Sequence, residues 1–349
     1  MPPAPFIPRA AFPPLDSLPR SYYLGHHAAG LSKMRSILSQ IDMVIECRDY
    51  RIPLTSRNPM FEDALAGKER LVVYTKRDLG SGGSKEDIEK RHSLLRTYHS
   101  PSPVLFSDHK SPRDIRLLLS HLRAASVARL NLTGSHLMVV GMPNVGKSSL
   151  LNALRQVSLN KGKAAHTGAQ PGITRKIGTG VKIIDAEEDG GGSAVYLLDT
   201  PGVFIPYVPD ASAMLKLALC GSVKDNVIPP FTLADYLLYH LNLHSPELYA
   251  TYCSPTNDIA TLLDAAAKKT GRLMKGGEAD WEGTAMWMIQ RWRNGFLGRF
   301  CLDEVSESAL VAYGEAREVA PRSVNQMRKV GKEVLREKSR ARRSNAGGG

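Results

Sequence analysis

The sequence that decides the fold of this chain is Gly141-Met142-Pro143-Asn144-Val145-Gly146-Lys147-Ser148-Ser149. It fits the pattern G-x-x-x-x-G-K-[ST] of a phosphate-binding P-loop. The apolar run 136–140 before it predicts a buried strand, and Leu150–Leu154 after it predicts the start of a helix. Glycines let backbone N–H groups turn toward phosphate oxygens, and a helix N-terminus adds partial positive charge. The flanking strand and helix therefore favour a nucleotide-binding loop over a chance turn rich in Gly, Lys and Ser.

The polar residues of this loop have expected roles. The Lys147 ammonium should reach the β- and γ-phosphates, and we also count it among the catalytic residues. The Ser148 hydroxyl should bind Mg²⁺. The expected nucleotide-binding residues of the loop are consecutive in the chain: Asn144, Val145, Gly146, Lys147, Ser148 and Ser149.

Composition limits the class of protein. A chain of 349 residues suits two or three domains, and 42% apolar with 23% charged residues is ordinary for a soluble globular protein. No apolar run approaches the ~20 residues that span a bilayer. The four cysteines are far apart and form no C-x-x-C pair, which indicates neither a zinc site nor a disulfide framework and favours a reducing compartment.

The net charge of +12 favours a polyanionic partner, because 46 basic residues face 34 acidic ones. That partner is either nucleic acid or an anionic membrane surface, and a generally basic soluble protein is the alternative. Residues 1–23 are proline-rich, with Arg9, Arg20 and the single acid Asp16. This charge bias suits a mitochondrial presequence, whereas the prolines equally suit a disordered tail.

A second motif precedes the P-loop. The predicted strand Leu71–Tyr74 ends in Thr75-Lys76-Arg77-Asp78, similar to the guanine-reading N-K-x-D with Thr in place of Asn. The Asp78 carboxylate can accept from both parallel donors of guanine, which adenine lacks. The Lys76 stem can cover the face of the base, whereas Thr75 cannot make both hydrogen bonds of an Asn. The alternative is a solvated loop at a strand end.

Three further stretches complete the set. Ser107 follows the predicted strand 104–106, where GTPases place a loop that contacts guanine through its backbone. Pro171-Gly172-Ile173-Thr174 matches a first switch, in which Thr174 supplies Mg²⁺ with a second hydroxyl and acts in catalysis. Asp199-Thr200-Pro201-Gly202 fits D-x-x-G, in which Asp199 holds Mg²⁺ and the Gly202 N–H senses the γ-phosphate. A plain strand-end turn is a minor alternative about 50 residues beyond a P-loop.

The order of these motifs is permuted, because the base-reading segments precede the P-loop. The termini of a β/α sheet lie close enough for such a permutation to leave the site intact. We predict an α/β fold: a circularly permuted P-loop GTPase domain, with a Ras-like sheet and helices on both faces, followed by an all-α C-terminal domain. The predicted divisions are 1–23 (tail or presequence), 24–209 (GTPase), 210–320 (helical, RNA-contacting) and 321–349 (basic tail). Within the helical part, segments are expected at 229–241, 258–270, 279–294 and 305–316.

Eight stretches resemble the circularly permuted GTPases of the YlqF/RbgA family, in particular its eukaryotic mitochondrial branch. They are Gly25-His26, Arg48-Asp49-x-Arg51-Ile52-Pro53, Ser56-Arg57-Asn58-Pro59, the P-loop, Pro171-Gly172-x-Thr174, Asp199–Gly202, Gly271–Gly277 and Gly295–Phe300. The chain departs from the family at Thr75, at the Ser107-Asp108 loop and at the N-terminus.

The resemblance implies hydrolysis of GTP to GDP coupled to late maturation of the large ribosomal subunit, with the helical domain touching rRNA. It further implies a mitochondrial location, peripheral to the matrix face of the inner membrane, and we expect a monomer. The net charge agrees with an RNA partner.

Two residues carry hypotheses about the reaction. Ras-type enzymes place a Gln after D-x-x-G, whereas Val203 stands here, so intrinsic hydrolysis should be slow without the ribosome. The resemblance implies that His26 positions water instead, and the alternative is a capping or surface residue. Asn144 resembles the K⁺-binding asparagine of potassium-activated GTPases, and the alternative is an ordinary loop residue.

Other functions stay open at this stage. Val203 and Thr75 motivate a hydrolysis-poor, GTP-binding scaffold on the ribosome, and Asp78 argues against an ATP-using enzyme. For RNA contact the candidates are the interleaved Arg291, Arg293, Arg299, Trp292, Phe296 and Phe300, and the basic residues between 322 and 343. We expect Trp292 or Phe296 to be core, and a solvated tail is the alternative for the C-terminus.

Overall fold

The computed structural model describes residues 6–13, 37–57, 65, 67–129, 134–162, 164, 180–186, 193–199 and 210–315. Six strands form one sheet in the order β3-β2-β1-β4-β6-β5, parallel except for the antiparallel pair β5 and β6. The strands are β1 (Met43–Asp49), β2 (Glu69–Thr75), β3 (Val104–Phe106), β4 (Ser135–Val140), β5 (Val181–Ile184) and β6 (Val195–Asp199). The strands β2, β3 and β4 lie where the sequence predicted them.

The central strands β1 and β4 are covered on both faces. Met43 and Ile45 of β1 belong to the larger apolar core, whereas Val44 packs with Met138 and Val140 of β4 in a smaller cluster on the other face. Parallel strands that are buried on both faces carry nearly continuous apolar runs, because successive side chains point to opposite sides. This pattern explains why these strands could be recognised from the sequence.

Helices flank the sheet and make up the C-terminal part. They are α1 (Arg77–Gly80), α2 (Lys85–His99), α3 (Pro112–Arg129), α4 (Lys147–Leu159), α5 (Ala211–Leu219), α6 (Pro230–His244), α7 (Ile259–Thr270), α8 (Trp281–Arg293) and α9 (Glu307–Glu315), with a 3-10 helix at Pro246–Tyr249. Helices α6 to α9 match the four predicted segments. In the described ranges, none of the helices has the length and apolarity needed to cross a bilayer.

Side-chain caps fix where several helices begin. The Asp210, Asp258 and Asp280 carboxylates accept backbone N–H bonds at the first turns of α5, α7 and α8. Such caps satisfy donors that have no partner inside the helix. Helix α8 packs against α6 and α7, and all three contribute to the same apolar core as the sheet.

The described residues up to Ser306 belong to one compact unit, and α9 belongs to a second. The first unit contains both the sheet and the helices α5 to α8. The predicted domain division at residue 209 stays a prediction, since residues 200–209 lie outside the described residues.

Residues 6–13, within the predicted tail or presequence, contact helix α6. The Arg9 guanidinium donates to the two Asp235 carboxylate oxygens at 2.7 and 3.1 Å. The Phe12 ring lies edge-on to Tyr236, with ring centres 5.1 Å apart. The Asn257 side chain donates to the Ile7 carbonyl at 2.9 Å. This segment is therefore part of the folded unit.

Candidate active site

The P-loop connects β4 to α4 beside the carboxyl end of β1. Its backbone uses left-handed conformations at Asn144 (φ 57°) and Gly146 (φ 104°). At Gly141 (φ 144°) a Cβ would lie 2.3 Å from the Cys47 carbonyl oxygen. Only glycine permits this approach, so the loop packs directly on β1.

The Lys147 ammonium lies inside the curve of this loop. It donates to the Gly141 carbonyl at 3.0 Å and to the Met142 carbonyl at 2.8 Å. Burial lowers the pKa of Lys147 to about 8, against the opposing charge of Asp199. Phosphate oxygens over the loop would offer anionic acceptors in place of these carbonyls and so favour the charged form of Lys147.

Ser148 and Asp199 form the opposite side of the phosphate region. The Ser148 hydroxyl donates to Asp199 Oδ2 at 2.7 Å, while Asp199 Oδ1 is buried without a partner among the described residues. Burial raises the pKa of Asp199. An unpaired carboxylate oxygen beside a hydroxyl fits Mg²⁺, which prefers oxygen ligands and keeps several waters. When bound, Mg²⁺ neutralises phosphate charge.

The predicted base-reading segment meets the P-loop. The Thr75 hydroxyl donates to the Val145 carbonyl and lies 3.0 Å from the Arg48 carbonyl. The Lys76 ammonium donates to the Asn144 carbonyl and to the Asp49 carboxylate, the latter at 2.9 Å. Two segments about seventy residues apart in the chain are thus in direct contact.

Asp78 and Ser107 lie next to this contact. Asp78 is half-buried in the first turn of α1, and within the described part of the chain no group donates a hydrogen bond to its carboxylate. The Ser107 N–H donates to the Tyr74 carbonyl at 2.8 Å, and the Ser107 carbonyl accepts from the Arg77 N–H at 3.2 Å. The loop after β3 is therefore held against the loop after β2.

Sequence reasoning missed two residues beside Lys76. Asp49 and Arg51 are fully buried, and the Arg51 guanidinium donates to both Asp49 oxygens at 3.0 and 2.8 Å. Burial alone would raise the pKa of Asp49, but Arg51 and Lys76 outweigh it and hold that pKa below its ordinary range. Their signal was the stretch Arg48-Asp49-x-Arg51-Ile52-Pro53, which was noted for its resemblance and given no role.

The other predicted site residues stand as follows. The Asn144 amide donates to the Gly221 carbonyl at 2.8 Å, beyond the end of α5. Gly146, Lys147, Ser148 and Ser149 lie at the start of α4. His26, Thr174 and Gly202 lie outside the described residues. The K⁺ role of Asn144 stays a prediction.

A P-loop on β4, with the predicted base-reading segment on a strand that precedes it in the chain, defines a circularly permuted GTPase fold. Residues 136–234 match a family described as 50S ribosome-binding GTPase. The chain is 36% identical to Mitochondrial GTPase 1 of Schizosaccharomyces pombe, over 84% of this chain and 92% of that protein. It is 37% identical to Mitochondrial ribosome-associated GTPase 1 of Xenopus tropicalis, over 73% of this chain and 81% of that protein. The chain therefore belongs to the mitochondrial GTPase 1 family.

The fold is also found among solved structures. A crystal structure of GNP-bound YlqF from T. maritima aligns with a TM-score of 0.53 at 21% identity, covering 79% of this chain and 97% of that one. The likeness concerns the fold, since the identity is low. The predicted permuted GTPase fold and the family resemblance are both confirmed.

Proposed function

We propose that this protein binds GTP, hydrolyses it to GDP, and acts as an assembly factor for the mitochondrial large ribosomal subunit. The observation that supports the proposal is the contact of Thr75 and Lys76 with the P-loop, by which the segment predicted to read guanine adjoins the phosphate-binding loop. Relatives named mitochondrial ribosome-associated GTPase 1 support a ribosomal partner in mitochondria. The matrix face of the inner membrane, and a monomeric state, belong to the same proposal.

Within this function, Asp78 accepts from guanine, Lys147 binds the β- and γ-phosphates, and Ser148 with Asp199 holds Mg²⁺. Thr174, Gly202 and His26 are proposed to act as predicted from the sequence. Because Val203 offers no hydrogen bond to water, hydrolysis is slow until the ribosome brings a water-positioning group into place. K⁺ bound near Asn144 would offset developing charge.

A partly exposed row of arginine and aromatic side chains supports RNA contact by the helical part. The guanidinium carbons of Arg272 and Arg291 lie 4.7 and 5.2 Å from the centre of the Trp287 ring. Arg291 also lies 5.5 Å from the ring of Phe296, which is 70% exposed. Within the described ranges neither arginine pairs with a carboxylate. Guanidinium groups without a carboxylate partner, beside the exposed Phe296 ring and the half-buried Trp287 ring, suit phosphates and unstacked bases.

Some of the other sequence candidates for RNA contact are buried or paired, and the rest are exposed or lie outside the described residues. Trp292 and Phe300 are buried, so the expectation of a core aromatic holds for Trp292, whereas Phe296 is exposed. Arg293 is paired with Asp225 at 2.7 Å and so serves the fold. Arg291, Phe296 and the exposed Arg299 therefore remain in the proposed RNA-facing set. The tail 321–349 lies outside the described residues, and its role stays a prediction.

The proposal is tested with the full chain and purified mitochondrial large subunits. Sedimentation is compared with GDP and with a non-hydrolysable GTP analogue, and phosphate release is followed over many turnovers. We expect more protein bound to particles with the analogue, and phosphate release that particles accelerate. Nucleotide-dependent binding without phosphate release would instead favour the GTP-binding scaffold. The proposed function includes coupling of the γ-phosphate state to ribosome binding, which equal binding in both states would contradict.

A double variant tests the RNA-facing residues, and a competition assay tests the choice of nucleotide. Arg291→Ala with Phe296→Ala should lower particle binding while leaving GTP affinity unchanged, because neither side chain contacts the P-loop region. Excess ATP should fail to displace GTP, since adenine lacks the paired donors that Asp78 accepts.

A further inference from the structure

The C-terminal end of α5 is held by side chains from three distant parts of the chain. Four consecutive backbone carbonyls, 218 to 221, accept these hydrogen bonds. Arg293 of α8 donates to the Ala218 and Leu219 carbonyls at 2.8 and 2.9 Å. Arg51 donates to the Cys220 carbonyl at 3.3 Å, and Asn144 donates to the Gly221 carbonyl at 2.8 Å. Cations and N–H donors are favoured there, because the last carbonyls of a helix have no partner within it.

The contacts of Arg51 and Asn144 close a ring around Lys76. Lys76 donates to the Asn144 backbone carbonyl and to the Asp49 carboxylate. The Asp49 carboxylate in turn accepts from the Arg51 guanidinium at 2.8 Å and from the Arg51 backbone N–H at 3.0 Å. The ring closes because Arg51 and Asn144 hold the adjacent carbonyls at the end of α5.

Two members of this ring are buried, so their charges have to be compensated by protein groups. Asp49 and Arg51 are at most 1% exposed, and the Arg51 guanidinium carbon lies 4.9 Å from the centre of the buried Trp292 ring. A buried ion pair adds little net stability, but removal of one member leaves an uncompensated charge. Arg51 and Lys76 therefore both compensate the buried charge of Asp49, and loss of Arg51 would disturb the carboxylate that Lys76 contacts.

We propose that Asp49 and Arg51 are positioning residues of the nucleotide site, which fix Lys76 against the base and couple nucleotide binding to the docking of α5. The inference rests on the proposed binding of guanine nucleotide at this site. Coupling of this kind is reciprocal and passes through the Cys220 and Gly221 carbonyls, which Arg51 and Asn144 hold. The Ala218 and Leu219 carbonyls, which Arg293 holds, lie outside this ring.

The test compares Arg51→Met with Arg293→Met in the full chain. Both substitutions remove a guanidinium from the end of α5, but only Arg51 belongs to the ring around Lys76. We expect Arg51→Met to lower the affinity for fluorescently labelled GDP and for a labelled GTP analogue equally, by about tenfold, because the two nucleotides share the contact to the base. Arg293→Met should leave both affinities within about twofold of wild type, although both variants melt at lower temperature.

Hydrogen exchange provides a second measurement on the same proteins. The Gly221 and Ser222 amides donate to the Ala218 and Leu217 carbonyls, so their exchange reports on the end of α5. GDP should slow this exchange in wild type and in Arg293→Met, and should fail to do so in Arg51→Met. If Arg51→Met does not fold, Arg51→Lys and Arg293→Lys replace the pair, since lysine keeps the charge but lacks the two-pronged contact.

Two outcomes would overturn the inference. Unchanged affinity in the Arg51 variant would remove the positioning role, and an equal loss in the Arg293 variant would show general loosening of α5. A wild-type protein that binds no guanine nucleotide would instead contradict the proposed function.

Discussion

The Thr75 hydroxyl donates to the Val145 carbonyl, which joins the end of β2 to the P-loop across 70 positions of chain. The same hydroxyl lies 3.0 Å from the Arg48 carbonyl at the end of β1. The single hydroxyl proton of Thr75 thus lies between two carbonyl acceptors, and Thr75 itself is only 5% exposed. Thr75, where an asparagine is usual, therefore still connects the predicted base-reading segment to the phosphate loop.

Thr75→Val should weaken this tie, because valine matches the shape of threonine and lacks the hydroxyl. Buried carbonyls without a donor cost about 1–3 kcal/mol, so we expect GDP affinity to fall by about tenfold and the melting temperature to drop. Thr75→Ser keeps the hydroxyl and is the matched control. Titration with labelled GDP decides the point, and equal affinity of the two variants would assign the tie no role.

The sequence predicted the strands and the P-loop because their signals are local. The buried strands carry continuous apolar runs, and the P-loop needs glycine at fixed positions. Arg51 escaped assignment, since its partners at Asp49, Cys220 and Trp292 come together only in the folded chain. Proline-rich composition suggested a tail for residues 1–23, and the contact of Arg9 with Asp235 could not be read from spacing.

Gly141→Ala should disrupt the P-loop. A Cβ there would lie 2.3 Å from the Cys47 carbonyl, and φ of 144° is unfavourable for alanine. Strain and displacement together should cost several kcal/mol, which lowers the denaturant midpoint and abolishes nucleotide binding.

Gly162→Ala is the matched control for this change, because a Cβ at Gly162 meets nothing within 4 Å. It should leave stability and GDP binding as in wild type. A Gly141 variant that binds GDP normally would show that the loop can move away from β1.

Asp199→Asn should separate stability from Mg²⁺ binding. Burial raises the pKa of Asp199, so its charged form destabilises the folded state at neutral pH and asparagine should raise the melting temperature without nucleotide. The Mg²⁺ concentration needed for GTP binding should rise more than about tenfold, since a neutral amide is a poor ligand for a hard cation. Asp185→Asn, at an exposed ion pair with Lys182, is the control and should change neither quantity.

Mild acid should destabilise the protein through buried neutral histidines. Burial lowers the pKa of His99 to about 2, with Arg48 and two other arginines adding repulsion, and burial lowers the pKa of His240 to about 3. Unfolded histidine titrates near 6.5, so the unfolded chain binds more protons below that pH and stability falls as pH drops from about 6.5 to 5.

The measurement is the free energy of unfolding in urea at several pH values. Each such histidine contributes up to about 1.36 kcal/mol per pH unit. His99→Gln should lower the slope of the unfolding free energy against pH by up to about 1.36 kcal/mol per pH unit, which corresponds to one proton. The glutamine amide can still contact the Tyr74 hydroxyl, which lies 2.8 Å from His99 Nε2. An unchanged slope would mean that His99 is protonated in the folded protein.

Arg9→Ala should detach residues 6–13 from α6. The guanidinium makes a two-pronged contact with Asp235, both side chains are only about a fifth exposed, and the Arg9 guanidinium carbon lies 5.6 Å from the Phe12 ring. Loss of this contact should cost about 1–2 kcal/mol and expose the segment to proteases, as melting and limited proteolysis can show. Lys268→Ala, which breaks an exposed pair with Asp264, is the control and should cost less than about 0.5 kcal/mol.

Since residues 6–13 belong to the folded unit, mass spectrometry of the mature protein should find them retained. Removal of this segment in the organelle, with normal stability afterward, would contradict that role.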